Sequence, residues 1–238
     1  MLGLLAVSEV FAATLEEDVV RYVGIFNGDP EQHVQAAETL AYAGLSDMRV
    51  FDLIESQLLK IEKALPSDRP GKSRMAHYIR ALGFSGQAKY ITTIERFRAD
   101  MDYERYVRTA LADSPNYRKW NPVISDRATF DPKLSDDVNR VLNMLKSNDL
   151  EMKRLGAKRV YFANRDEVLL EQLAKDLTAN YRLPQADKEQ ADCVAWLAKG
   201  LGSAKSERYR PLLQEVAISA ASDKVREHAK LTLQKYAQ

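Results

Sequence analysis

The chain has 238 residues, 35 Lys+Arg against 34 Asp+Glu, and a formal net charge of +1. So even a balance lacks the basic footprint of tight, sequence-blind nucleic-acid binding. The single Cys excludes an internal disulfide framework and any multi-Cys zinc site, and His33, His77 and His228 show no His-x-x-x-His spacing. No apolar run reaches the ~18 residues of a membrane-spanning helix.

In chain order, residues 1–13 read MLGLLAVSEVFAA. A short apolar run ending in small residues before Ala13 has the form of a signal-peptide remnant, without the basic start such a peptide carries. The alternative is an ordinary capping helix. The first reading makes the protein periplasmic or exported, the second cytoplasmic. From Thr14 a capping-box pattern with Glu17 opens a helix that stops at Asn27-Gly28. Apolar periodicity then predicts helices over 30–43, 47–64, 72–83, 87–99, 103–112, 136–147, 149–163, 167–181, 187–200, 206–220 and 223–236. Strand signals are nearly absent, so the predicted class is all-α.

The chain also resembles itself. A slide of 119 residues lays Asp18 on Asp137, Val19 on Val138, Asp47 on Asp166, Leu58 on Leu177 and Asp68 on Asp187. It also lays Leu82-Gly83 on Leu201-Gly202 and Tyr90 on Tyr209; a slide of 120 lays Asp29 on Asp149 and Ala37 on Ala157. Two related halves follow, 14–111 and 135–238, joined by a connecting segment at 112–134. Gly83 and Gly202 are predicted to end equivalent helices with positive φ.

Asp223-Lys-Val-Arg-Glu-His-Ala229, followed by Leu231 and Leu233, resembles the first helix of a HEAT repeat. The stretches from Asp149 to Ala157 and from Asp29 to Ala37 are similar, although the latter lacks the Arg. The resemblance covers most of 14–236, weakens at 60–72 and 178–188, and fails at 112–134. It implies a right-handed α-α superhelix of helical hairpins, with a surface used to hold a protein or peptide. It implies no cofactor. The same architecture also serves enzymes, among them DNA glycosylases and bilin-type lyases, and that remains the alternative.

Candidate chemistry is sparse. Phosphate-loop, Gly-x-Ser-x-Gly, His-Glu-x-x-His and Cys-x-x-Cys motifs do not occur. Arg and Tyr alternate over 96–120, but acids intervene, as on a solvated helix face. Arg74, His77 and Ala81 share one helix face, and Cys193, Trp196 and Leu197 another, the latter expected in the core. The connecting segment holds three prolines among aromatics. Tyr117, Arg118 and Trp120 in it are the residue types that anchor interfaces, and they are the predicted binding residues. The competing reading makes Trp120 a plug in the first half's core.

Overall fold

The computed structural model describes residues 15–64, 66–184 and 187–237. The signal-peptide or capping-helix reading of 1–13 lies outside the described residues. Among those residues there are twelve α-helices and no strand. The chain divides between Asp136 and Asp137 into two compact units. The first holds α1 (Leu15–Asn27), α2 (His33–Thr39), α3 (Met48–Ala64), α4 (Arg69–Phe84), α5 (Ile91–Glu95) and α6 (Glu104–Ile124). Then follow α7 (Asp136–Lys146), α8 (Leu150–Phe162), α9 (Glu167–Asn180), α10 (Lys188–Gly202), α11 (Arg210–Ser219) and α12 (Asp223–Gln234).

Aspartates start several of these helices by accepting backbone N–H groups that have no partner within the helix. Asp68 accepts from Gly71 N at 2.6 Å and Asp187 from Gln190 N at 2.8 Å. Asp47 accepts from Arg49 N at 2.9 Å and Asp166 from Val168 N at 3.0 Å. Each such cap contributes about 1 kcal/mol. The members of each pair stand 119 residues apart.

In the first unit α4 packs against α2, α3 and α6; in the second, α10 packs against α8, α9 and α12. The core follows the same spacing. Val50, Phe51, Ile54 and Leu58 of α3 are buried, as are Leu169, Leu170, Leu173 and Leu177 of α9. A tyrosine seals each unit beside this row. The Tyr90 hydroxyl donates to Asp52 at 2.7 Å, and the Tyr209 hydroxyl donates to Glu167 at 2.7 Å. Burial and the neighbouring carboxylate push the Tyr209 hydroxyl up to about 12. Lys89 adds an ion pair to Asp52 and lies over the Tyr90 ring; Arg208 does the same with Glu167 and Tyr209.

Two expectations need correction. The segment 112–134 is not a connection throughout, because α6 continues to Ile124 with Pro115 and Pro122 inside it. Proline lowers helix stability locally, but this stretch buries Tyr117, Trp120 and Ile124, and that tertiary burial prevails. Gly83 and Gly202 also lack positive φ; among the described residues the positive values fall at Gly44 (66°), Gly86 (67°) and Lys205 (50°). The reason for glycine at 83 and 202 is close packing. A Cβ on Gly83 would lie 2.7 Å from Ala110 O of α6, and one on Gly202 would overlap Thr232 Cγ2 of α12.

Gly83→Ala is therefore expected to destabilise the protein by about 1–3 kcal/mol, because it presses on backbone that cannot step aside. Gly202→Ala is expected to do likewise in urea unfolding, and Thr232→Ser, which removes the obstructing methyl, should restore part of that loss. Gly83→Ala without effect would contradict the close approach.

Candidate functional site

The structure places the predicted binding residues in and over the first unit's core. Tyr117 is 2% exposed and Trp120 is 6% exposed. The Tyr117 ring lies 4.8 Å from Phe84 and 5.2 Å from Trp120, centroid to centroid. Arg118 is exposed, and its Nε donates to Gly86 O at 3.1 Å. One turn on, Asn121 is buried, and its Nδ2 donates to Leu45 O and Phe84 O, both at 2.9 Å. This part of α6 thus closes over two turns that carry left-handed glycines, Gly44 and Gly86. This packing fits the reading of Trp120 as a plug in the first half's core, and Pro115 and Pro122 are carried inside the packed helix. Replacing Trp120 by Ala should cost about 3–5 kcal/mol in chemical denaturation, the range for loss of a buried large aromatic; a loss below 1 kcal/mol would return the ring to the surface.

Other residues singled out in the sequence are largely structural. His77 sits between Ser73 O at 2.7 Å and Glu38 Oε1 at 3.1 Å. Cys193 is buried, and burial pushes its thiol up to about 11, far from a reactive thiolate. Arg96 pairs with Glu62 and Arg108 with Glu104, as a solvated face does. His33 is 3% exposed, and its Nδ1 is bonded to the Tyr78 hydroxyl. Among the described residues no group of three or more His, Cys, Asp or Glu is placed to hold a metal. No described helix is long and apolar enough to cross a membrane.

The candidate site lies in the second unit, where three helix ends meet. The end of α8 supplies Tyr161 and Phe162, and Arg165 follows in the loop. The end of α10 supplies Lys199, Gly202 and Ser203, followed by Lys205, and Thr232 of α12 and Lys235 complete the lining of a cleft of ≈ 230 Å³. Four cations and no carboxylate line it. Trp196, one turn before Lys199, was expected in the core; it is only half-buried and stands behind the cleft, its ring 5.8 Å from Tyr161. Lys199 Nζ lies 3.7 Å from the Trp196 centroid, a cation–π contact. Lys235 Nζ donates to the Tyr161 hydroxyl at 3.1 Å. Phe162 is 69% exposed at the rim, its ring edge-on to Tyr161 with centroids 4.8 Å apart.

The electrostatics follow from that gathering of charge. Burial holds the Lys199 ammonium below the usual lysine range, and the positive charge of Lys235 adds to the effect. The hydrogen bond from Lys235 lowers the Tyr161 hydroxyl, and the charges of Lys235, Lys199 and Arg165 act in the same direction. Among the described residues Arg165, Lys199, Lys205 and Lys235 form no ion pair with a carboxylate. Elsewhere in the unit Lys153 pairs with Asp176, Arg154 with Asp192 and Arg159 with Asp137. The cleft therefore carries an excess of positive charge.

Lys205 stands out by its backbone as well as its charge. Its φ of 50° is the left-handed conformation that glycine takes most readily. The residue 119 positions earlier, with the same conformation, is Gly86. Strain of this kind concentrates at functional sites. Lys205→Gly is expected to stabilise the fold by roughly 0.5–1 kcal/mol in thermal or urea unfolding, since relief of the strain exceeds the added freedom of the unfolded chain. A destabilised variant would show that the lysine stem contributes packing instead.

Sequence reading missed this site because its residues come from 161–165, 199–205 and 232–235, and each piece alone looks like a solvated helix end. The one usable signal was the lysine opposite Gly86 in the self-comparison. Comparison with protein-family models, with curated proteins and with solved structures gives no match to this chain.

Proposed function

We propose that the protein is a non-catalytic scaffold that binds a protein or peptide partner, with two related halves each built from HEAT-like helix pairs of the right-handed superhelical type. The recurrence of caps, buried rows and close-packed glycines at one spacing supports the repeat. The observation that carries the functional reading is the cleft: four cations without carboxylate partners converge on a wall of Tyr161 and the exposed Phe162. Interfaces draw on aromatic anchors and charge complementarity of this kind. The partner therefore presents negative charge where it meets the second unit.

The alternative, a HEAT-like enzyme acting on nucleic acid, draws on the same basic cleft and its neighbour Trp196. Base excision on that plan needs a carboxylate beside the target sugar, and the cleft lining supplies none. Affinity capture from native extract at low and high salt separates the readings. The scaffold predicts reproducible recovery of a protein that is released as salt screens the cleft charges. Recovery of nucleic acid, or release of a modified base from an oligonucleotide incubated with the chain, would overturn it.

A further inference from the structure

The two units treat one equivalent place in opposite ways. In the first unit α6 runs on past Asn116 and covers it. Tyr117 lies on Phe84, Arg118 donates to Gly86 O, and Asn121 Nδ2 donates to Ser46 Oγ at 2.9 Å. The residues 119 positions after Phe84, Gly86 and Ser46 are Ser203, Lys205 and Arg165, and all three line the cleft. There α12 gives way at Lys235 to a 3₁₀ turn. Tyr236, the counterpart of Tyr117, turns its hydroxyl to Ser206 O at 3.4 Å and packs under Arg210.

Resting on the scaffold reading above, we infer that the second unit's cleft is a docking groove for an acidic, aromatic-bearing helical segment of a protein partner, seated where the C-terminal half of α6 lies in the first unit.

The charge of the occupant follows from the substitutions between counterparts. Ser46, Gly86 and Asn116 are neutral, whereas Arg165, Lys205 and Lys235 are cations. Arg80 is balanced by Asp113 at 3.1 Å; their counterparts are Lys199 and Thr232, so the carboxylate is gone. A place that is nearly neutral in the first unit thus becomes strongly positive in the second. The aromatic requirement follows from Phe162, which is 69% exposed at the cleft. An apolar or aromatic side chain from the occupant would cover that ring, as Tyr117 covers Phe84. The helical form follows from the first unit, in which this wall accepts a helix and bonds it through side chains rather than by strand addition.

The probe is a fluorescent peptide of this chain's own 112–124 sequence, with Pro115→Ala and Pro122→Ala to favour helix and with Arg118→Glu and Lys119→Glu to supply negative charge. The control peptide keeps Arg118 and Lys119. Full-length protein is expected to bind the acidic peptide saturably in anisotropy titrations, about tenfold or more tighter than the control. Binding should weaken with salt, and the peptide should gain helical circular dichroism on binding. The Lys205→Gly, Lys235→Met double variant should lose about tenfold in affinity while its melting temperature does not fall. Equal binding of the two peptides, equal binding to the variant, or binding without helix gain would overturn the assignment. So would a cleft that takes up inorganic pyrophosphate but neither peptide, which would make it a small-anion site. If wild type and variant capture the same native partner equally well, the scaffold reading stands and the groove falls; if wild type captures none, the scaffold reading itself falls.

Discussion

The close approach of one central helix in each unit to its neighbours is the constraint on which the rest depends. Over most of their length α4 and α10 are enclosed by three other helices each, and small residues stand where the axes come nearest. Gly83 faces Ala110 O, and a Cβ on Gly200 would lie 3.0 Å from Ala157 O. At such distances a methyl group separates backbones that otherwise share dispersion contacts along whole turns. Once those helices are seated, the apolar rows of α3 and α9 have a surface to fill, and the tyrosines at 90 and 209 can close the edge. The polar ends of those rings then meet carboxylates, so neither of these two hydroxyls is left without a partner.

The same framework leaves each unit one end to finish, and they finish it differently. The first unit closes with its own chain. Asn121 satisfies carbonyls from two separate turns, and Gly44 and Gly86 bring those turns near enough for α6 to lie on them. The second unit places charge at the corresponding positions and accepts a left-handed lysine to do so. Burial chiefly lowers the Lys199 ammonium, and repulsion from Lys235 adds to it. A fold keeps such an arrangement at some loss of stability, which is why the cleft rather than the paired surface elsewhere carries the functional reading.

Much of the fold was legible in the sequence. Helix starts could be read from Asp47, Asp149, Asp166 and Asp187, because an aspartate before an apolar-periodic run supplies the acceptor that the first turn lacks; the helix expected from 72 starts earlier, at Arg69, on the Asp68 cap. The internal spacing was legible too, since buried rows recur at fixed positions when two units share a packing plan. What the spacing could not convey was the reason for a conserved-looking pair such as Gly83 and Gly202. Glycine permits both positive φ and close contact, and the sequence does not distinguish the two.

Local chemistry thus determined the all-helical class, most helix boundaries and the internal correspondence, because caps and 3.6-residue periodicity act within a few turns of chain. Tertiary structure alone decided the rest. It carried α6 through two prolines, since burial of Tyr117, Trp120 and Ile124 outweighs the local loss of helix propensity. It moved Trp120 from a candidate anchor to the core and left Trp196 half-buried beside the cleft. It also assembled four cations from three distant stretches into one cleft. Convergence of that kind depends on how helix ends meet in space, and residues separated by dozens of positions carry no mark of it.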